Sequence, residues 1–362
     1  MKITPIAVPG YERVAKAEDP AAGLTAYIAV HDTTLGPALG GLRMWKYESE
    51  DAALFDVKRL SRGMTFKSAV ARTGLGGGKS VIVGDPRRDK TPALFEAMGQ
   101  FVESFGGQYI TAEDVGVGIP DLLSVRKHTK WVTGLSREMG GSGNPSPYTS
   151  LGVFEGIRAC AVESWGSDDL QGKVVALQGP GNVGYPLCEY LAKAGARLIV
   201  SDVTQENVDR CVRNLGAQAV PPDAIFDQAC DIFSPNALGA VLNDQTIPRL
   251  KCKVVAGAAN NQLLDEVRHA QALKARGILY APDYVINAGG IINVSLELDP
   301  AGYNEQKAVA KIKNIFEALK SVFEQARKRD VTTHTAAQEV ADAILREGRA
   351  KKAGKPATTA RR

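Results

Sequence analysis

Residues 174–184 read VVALQGPGNVG, a short apolar run followed by three glycines at the spacing G-x-G-x-x-G. Apolar residues then recur at helical spacing from Val183 to Ala194, and a second apolar run, Leu198–Val200, ends at Asp202. This order predicts a strand, a tight turn, a helix and a second strand with an acid at its end.

Each position in the glycine motif has its own physical task. Gly179 permits a tight turn, Gly181 lets the backbone approach a pyrophosphate, and Gly184 allows the helix to pack closely on the strand. Asn182 and Val183 lie where the helix begins, and its free N–H groups and positive dipole end favour phosphate. The motif therefore predicts a dinucleotide site.

Asp202 indicates which dinucleotide would bind. Its carboxylate would accept hydrogen bonds from the adenosine ribose and would repel a 2′-phosphate, and residues 203–205 supply no arginine to bind one. The sequence therefore favours NAD over NADP. A strand, turn and helix with a purely structural role remains the alternative.

Short apolar runs separated by helix-like sequence continue downstream, which is typical of a parallel sheet. The first half mixes helix-like patterns with strand-like ones, among them Ser80–Val83 after a glycine run. GGSGNPSP at 140–147 is rich in turn formers, as a hinge would be. We predict an α/β protein of two domains with a cleft between them. An N-terminal α/β domain for substrate binding and oligomerisation comprises residues 1–145 and a C-terminal helical segment at about 326–362. A Rossmann-type, doubly wound NAD-binding domain comprises residues 146–325.

The overall composition is that of an ordinary globular protein. Of the 362 residues, 44% are hydrophobic and 23% charged, and no apolar run approaches the roughly 18 residues that a membrane helix needs. The N-terminus lacks the apolar core of a signal peptide, so a cytoplasmic location is expected. The five cysteines form no C-x-x-C pair, and no metal site is predicted.

The positive charge of the chain is concentrated at its C-terminus. Residues 346–362 hold seven basic residues and one acid, a net charge of +6, which leaves −2 for the rest of a chain whose total is +4. The body is therefore not a basic nucleic-acid binder. We predict that this tail is disordered, and its binding to a polyanion stays a subordinate hypothesis.

Two lysines lie in unusual surroundings. GGGKS at 76–80 is not a phosphate-binding P-loop, because that motif needs a glycine where Thr73 stands. The glycines predict close approach of a ligand, and a crowded, dry site would lower the pKa of Lys79 and make it a base. Lys67, on a predicted helix, could bind a carboxylate, although an ordinary solvated helix lysine is the alternative. Asp114 follows the strand-like Tyr109–Thr111.

Long stretches of the chain, from about Leu24 to about Lys320, resemble the amino-acid dehydrogenases that act on glutamate, leucine, phenylalanine and valine, and most of all their leucine-specific branch. The stretches that carry this resemblance are HDTTLGPALGG (31–41), RGMTFKSA (62–69), GGGKSVIVGDP (76–86), YITAEDVG (109–116), GNPSP (143–147), AGAANNQL (256–263) and GILYAPDYVINAGGIINV (277–294).

The resemblance implies a role for individual residues. Lys67 matches the lysine that holds the substrate carboxylate, Lys79 the catalytic lysine and Asp114 the catalytic aspartate. Asn261 matches an asparagine near the substrate amino group and the nicotinamide, and Thr149 falls where relatives contact the nicotinamide amide. The family also implies a homo-oligomer.

The expected substrate pocket is apolar. Leu39, beside Gly40, occupies the place where glutamate-specific members carry a lysine, and an apolar residue there would leave a bound glutamate carboxylate unpaired. With Ala112, Ile291 and Val294 it should line a pocket for a branched side chain. Ile291 also reduces the room for an aromatic side chain.

These expectations amount to NAD-dependent, reversible oxidative deamination of branched-chain L-amino acids to the 2-oxo acid and ammonia. Asp114 is expected to take the proton of the substrate ammonium, and neutral Lys79 to activate water. Two alternatives stay open: a phenylalanine or valine enzyme of the same family, and a catalytically silent NADH-binding sensor. Asn236 departs from the family, whose members usually carry cysteine there.

Overall fold

The computed structural model describes residues 1–237 and 239–354. Contacts within the chain divide it into two units. The first comprises Met1–Gly143, Val294–Tyr303 and the chain from Ala341 onward, and the second comprises Asn144–Asn293 and Asn304–Val340. The first change of unit falls inside the segment that the sequence predicts as a hinge.

Twelve strands and twelve α-helices form the described chain. In the order of the chain, the strands are β1 (Lys2–Ile6), β2 (Arg13–Asp19), β3 (Leu24–Asp32), β4 (Ala38–Trp45), β5 (Gly76–Val83), β6 (Tyr109–Glu113), β7 (Val174–Gln178), β8 (Arg197–Ser201), β9 (Gln218–Ala219), β10 (Ile232–Pro235), β11 (Val254–Val255) and β12 (Leu279–Tyr280). The helices are α1 (Glu50–Val70), α2 (Pro92–Glu103), α3 (Ile119–Arg126), α4 (Ser146–Trp165), α5 (Gly184–Lys193), α6 (Gln205–Leu215), α7 (Glu266–Ala275), α8 (Asp283–Ile286), α9 (Gly289–Ser295), α10 (Glu305–Lys313), α11 (Ile315–Arg329) and α12 (Thr333–Ala353).

The first unit contains a mixed sheet in the order β1-β2-β3-β5-β4-β6. Neighbouring strands are antiparallel from β1 through β5, whereas β4 is parallel to both β5 and β6. An apolar cluster that includes Ile28, Leu42 and Ile82 joins one face of the sheet to α2. Ala29 and Val81 join the other face to α1. Both faces are therefore buried, and side chains on β4, β5 and β6 are shielded from water.

The second unit contains a wholly parallel sheet in the order β12-β11-β10-β7-β8-β9. The chain moves outward in one direction from β7 through β8 to β9, and in the other from β10 through β11 to β12. This is the doubly wound arrangement, with its switch point between β7 and β10. The predicted α/β fold with a Rossmann-type unit is confirmed.

The glycine run differs from its prediction. The sequence indicates a strand at Ser80–Val83 that follows the glycines, but β5 begins at Gly76, so the glycines and Lys79 lie within the strand. A strand backbone fixes the direction of each side chain, because successive residues point to opposite faces. Lys79 consequently has a defined orientation that a loop would not provide.

The chain returns to the first unit at other positions than the predicted residue 326, namely at Val294–Tyr303 and again from Ala341. Residues 304–340 belong to the second unit, where the Tyr148 hydroxyl donates to Glu305 over 2.6 Å. Residues 294–303 belong to the first unit, where Glu297 accepts hydrogen bonds from the backbone N–H groups of Gly134 and Ser142.

The predicted disorder of residues 346–362 is wrong for their first part, because α12 is helical through Ala353. Arg349 Nη2 lies 2.7 Å from Oδ2 of the buried Asp32, and Lys352 Nζ donates to the Thr33 carbonyl over 2.7 Å. These contacts fix the last turns of α12 on the first unit. Residues 355–362 lie outside the described part of the chain. Within that part, no helix is long and apolar enough to cross a membrane.

Candidate active site

An ion pair between Lys79 and Asp114 is the centre of the candidate site in the first unit. The Nζ atom of Lys79 lies 2.9 Å from Oδ2 of Asp114. Lys79 is on β5 and is only 5% exposed, and Asp114 directly follows β6. Since β4 lies between these two strands, the sheet brings together residues that are 35 positions apart in sequence.

A second cation, which sequence reasoning did not identify, contacts the same carboxylate. Arg43 Nε lies 2.9 Å from Asp114 Oδ2, and Arg43 Nη1 lies 3.0 Å from Asp56 Oδ2. The Tyr47 hydroxyl also donates to Asp56 Oδ2, over 2.8 Å. The alternation of side chains along β4 is the sequence signal that points to Arg43, because Arg43 lies on the same face of the strand as Leu39 and Gly41.

Burial and charge act on the two catalytic candidates in different ways. Burial dominates at Lys79 and lowers the pKa of its ammonium below the ordinary value, although the Asp114 carboxylate opposes that change. Burial also opposes ionisation of Asp114, but the charges of Lys79 and Arg43 outweigh it and hold the pKa of that carboxyl at about 2. Asp114 is therefore ionised at every physiological pH.

The glycines around this pair accommodate protein atoms. A Cβ placed on Gly77 would lie 2.1 Å from the backbone nitrogen of Thr65 on α1, and one on Gly40 would lie 1.7 Å from the carbonyl oxygen of Gly78. A Cβ on Gly78 would lie 2.7 Å from the Tyr109 ring. The glycine run thus allows close packing of helix and strands around Lys79, a reason different from the ligand approach that the sequence suggested.

Three of the other predicted substrate residues lie near this pair in the same unit. Leu39 on β4 is 2% exposed and is paired in register with Gly77 and with Ile110. Ala112 on β6 is paired with Gly41. Gly40 lies between Leu39 and Gly41, and its carbonyl accepts a hydrogen bond from the Tyr109 hydroxyl over 2.6 Å.

The remaining predicted substrate residues are distributed over both units. Lys67 is in the last turn of α1 and is half-buried. Val294 is buried in the first unit, and Ile291 is buried in the second. Asn261 is in the second unit and has a φ of +50°, which is rare for a residue other than glycine. Such a conformation persists only where its surroundings enforce it, and it is common at functional sites.

The glycine motif of the second unit adopts the geometry that its spacing indicates. Gly179 has a φ of +85° and donates its N–H to the Ser201 carbonyl over 2.8 Å. A Cβ on Gly184 would lie 2.1 Å from the Gly179 carbonyl oxygen, whereas one on Gly181 would meet no atom within 4 Å. Gly184 therefore serves the packing of the helix, and the space at Gly181 is open to a ligand. Asn182 and Val183 precede α5, and the Val183 carbonyl accepts from Ser150 over 2.6 Å.

Asp202 lies directly after β8, at the carboxyl end of the parallel strand beside β7. Its Oδ1 accepts from the Thr204 backbone N–H over 2.8 Å, and its Oδ2 accepts from Asn207 over 3.1 Å. These hydrogen bonds orient the carboxylate. Among the described residues, the buried polar atoms Gln178 Oε1 and Ser201 Oγ in the adjoining strands have no hydrogen-bond partner.

Two further residues of interest belong to the second unit. Asn236 follows β10, accepts from the Ala258 backbone N–H over 2.9 Å and donates to the Ser234 carbonyl over 2.9 Å. It thereby ties the end of β10 to the segment that contains Asn261. Thr149 is on α4, where its Oγ1 donates to the Pro145 carbonyl over 3.1 Å.

Two family models match the chain. The model described as the Glu/Leu/Phe/Val dehydrogenase dimerisation domain matches residues 11–131. The model described as Glutamate/Leucine/Phenylalanine/Valine dehydrogenase matches residues 200–349. The first match contains Lys67, Lys79 and Asp114, and the second contains Asp202 and Asn261.

Individual relatives agree with these models. Leucine dehydrogenase of Thermoactinomyces intermedius is 53% identical over 92% of this chain and 90% of its own length. Phenylalanine dehydrogenase of Caldalkalibacillus thermarum is 46% identical over 93% and 92%. The crystal structure of L-tryptophan dehydrogenase from Nostoc punctiforme has a TM-score of 0.84 and 44% identity, and the match covers 94% of this chain and 97% of that one.

Proposed function

The chain belongs to the glutamate, leucine, phenylalanine and valine dehydrogenase family, and from that premise we propose that it catalyses the reversible, NAD-dependent oxidative deamination of leucine and other branched-chain L-amino acids. It is an amino-acid dehydrogenase by its similarity over most of its length. The observation that supports its chemistry best is the ion pair of buried Lys79 with half-buried Asp114, at 2.9 Å.

Several features of the second unit support the proposal that NAD binds there. Open space at Gly181 leaves room for a pyrophosphate, and the start of α5 offers N–H groups to it. The oriented carboxylate of Asp202 would accept from the ribose hydroxyls and would repel the extra phosphate of NADP. Thr149 and Asn261 are proposed to contact the nicotinamide end. When bound, NAD accepts a hydride from the substrate α-carbon.

Leucine is proposed as the preferred substrate because the proposed substrate residues are uncharged and because of the relatives. None of the proposed side-chain contacts carries a charge: they are Leu39, Gly40, Ala112, Ile291 and Val294. A glutamate side-chain carboxylate bound among them would therefore be buried without a partner. The leucine dehydrogenase above is more similar to this chain than the phenylalanine dehydrogenase, at 53% against 46% identity. Discrimination among leucine, isoleucine and valine should be modest, since one methylene is worth about 1–3 kcal/mol.

The residues of the chain divide the chemistry between them. Lys67 would hold the substrate carboxylate as a point charge. After hydride loss the substrate is an iminium, and neutral Lys79 would take a proton from the water that attacks it. Lys79 then returns that proton to the carbinolamine nitrogen, the C–N bond breaks to release ammonia, and the hydroxyl proton is lost to water, which leaves the 2-oxo acid. Deamination should therefore be fastest at alkaline pH.

The low pKa of Asp114 changes the role expected from the sequence. Lys79, while it is charged, and Arg43, at every pH, lower the pKa of this carboxyl, so Asp114 is a weak base and proton transfer to it from a substrate ammonium is unfavourable. We therefore assign Asp114 the tasks of accepting a hydrogen bond from the substrate amino group and of orienting Lys79. Alkaline pH supplies the free amine.

Production of NADH at alkaline pH, measured at 340 nm, tests the proposal. The panel pairs NAD or NADP with leucine, isoleucine, valine, phenylalanine and glutamate. Fastest turnover with leucine and NAD would support the proposed reaction, cofactor and substrate together. Turnover with phenylalanine or valine instead would overturn the substrate assignment, and silence across the panel with intact NADH binding would favour the sensor. The cytoplasmic location and the homo-oligomer, which fits the dimerisation domain of the family, stay predictions.

A further inference from the structure

The Asp114 carboxylate accepts two charged hydrogen bonds on a single oxygen. Lys79 Nζ and Arg43 Nε each lie 2.9 Å from Oδ2. Arg43 is held in place from its other side by Asp56, whose Oδ2 lies 3.0 Å from Nη1. The result is a row of alternating charges in which Arg43 links the two carboxylates.

Removing the proton of Lys79 has an electrostatic consequence in this row. If Lys79 were the sole cation at Asp114, its neutral form would leave a half-buried carboxylate without a charged partner, which is unfavourable. Lys79 would then keep its proton or pass it to Asp114. Arg43 stays charged throughout the working pH range, because a guanidinium is not deprotonated in proteins. Asp114 therefore remains paired when Lys79 is neutral.

The groups that surround this row come from four elements. Asp56 is on α1, Lys79 is on β5, Arg43 is on β4, and Tyr47 follows β4. Burial raises the pKa of Tyr47 far above its usual value, with Asp56 adding to the effect, so Tyr47 is neutral. Glu113, on β6 beside Asp114, has its pKa raised by burial. Arg43 is thus the permanent positive charge that faces Asp114.

We propose that Arg43 is a positioning residue that serves as the permanent counterion of Asp114, so that Lys79 can act as a base without protonation of Asp114. This inference rests on the proposed function, because it concerns how the lysine of that reaction becomes neutral. Arg43 acts through Asp114 and Lys79 and takes no part in bond making.

Two variants with opposite changes in charge test the proposal. Arg43→Gln removes a positive charge near Lys79. The limb on which kcat/KM for deamination rises with pH, as Lys79 loses its proton, should therefore move to higher pH by about one unit. Asp56→Asn removes a negative charge that favours the ammonium, and the limb should move to lower pH. Tyr47→Phe loses a hydrogen bond to Asp56 without a change of charge and should leave the limb in place. Arg43→Lys keeps the positive charge, so its limb should lie close to that of the parent enzyme.

A structural role would produce a different pattern. If Arg43 only supported the fold, Arg43→Gln and Asp56→Asn would lower activity together and leave the limb where it is, or move it in one direction. Either result overturns the proposal. Thermal unfolding identifies any variant that fails to fold, and if Arg43→Gln does so, Asp56→Asn alone must still shift the limb downward.

A second measurement separates this proposal from the function on which it rests. Trace acetylation by acetic anhydride, followed by mass spectrometry of the Lys79 peptide, reports the pH at which this lysine becomes neutral without any substrate. Opposite shifts of that pH in Arg43→Gln and Asp56→Asn support the counterion role even if no amino acid is oxidised. Absence of shifts in an active enzyme overturns it and leaves the proposed function intact.

Discussion

Gly41 lies so close to Asp114 that a Cβ placed on Gly41 would be 2.7 Å from the Asp114 Cβ and 3.3 Å from Lys79 Nζ. The backbone carbonyl of Glu113 would be 2.8 Å away, and it cannot move without displacing β6. The absence of a side chain at Gly41 is therefore a condition for the ion pair.

Gly41→Ala should lower kcat at least tenfold, because the added methyl would push Asp114 away from Lys79, and misplacement of a catalytic group by an ångström costs up to a hundredfold. Gly63→Ala is the matched control, since Gly63 is on α1 and a Cβ there would meet nothing within 4 Å. The control should keep full activity and gain up to about 1 kcal/mol of stability. Equal activity of the two variants would contradict the packing argument.

Lys79→Ala should reduce deamination by at least about a thousandfold, the upper range for loss of a general base, while the dissociation constant for NADH stays within about twofold. Stopped-flow absorbance gives the rate, and quenching of protein fluorescence gives the binding. Lys67→Ala provides the contrast, because loss of a charge that binds the substrate carboxylate should raise KM for the amino acid more than it lowers kcat. Substantial turnover by Lys79→Ala would remove the lysine from the mechanism.

Asp202→Asn should weaken binding of NAD by about tenfold and reduce the preference for NAD over NADP, because the amide no longer repels a 2′-phosphate. Isothermal titration with both cofactors measures this. Asp209→Asn is a suitable control, since Asp209 is an acid on α6 whose Oδ1 accepts from Gln205. If both variants bind the cofactors as the parent does, Asp202 has no role in the ribose site.

Asp114 should contribute to stability with a defined dependence on pH. Its pKa falls from 3.8 in the unfolded chain to about 2 in the folded one, so the contribution is complete above pH 3.8 and disappears as pH falls through about 2. The shift corresponds to about 2 kcal/mol, of which about half should remain at pH 3. Urea unfolding of the parent and of Asp114→Asn should give free energies that differ most at neutral pH. A difference that does not change with pH would contradict the assigned ionisation.

The second unit could be predicted from sequence because its signals are local. The strand before Gly179, the helix after Gly184 and the acid at Asp202 lie within 30 residues, and each βα step repeats the pattern. A parallel sheet with a fixed crossover hand leaves few topologies for such a series.

The first unit resisted prediction because its sheet depends on distant pairings. Strand β5 lies between β3 and β4, and the glycine run, which resembles a loop, is its first half. The resemblance to relatives predicted roles for Lys79 and Asp114 but gave no reason to select Arg43, which looks like an ordinary strand residue. Its role becomes visible only when α1 brings Asp56 to it.

The contact between Arg349 and Asp32 affects the order in which the first unit folds during synthesis. Asp32 is buried at the end of β3, and its partner is 317 residues further along the chain. While the ribosome is still making the second unit, β3 through β6 can pair, and the Thr34 N–H can donate to Asp32, but this carboxylate lacks the charge of Arg349 until α12 emerges. The unit that begins first is thus completed last, and ribosome-bound chains that stop before residue 341 should be cleaved by proteases near Asp32 more readily than full-length ones.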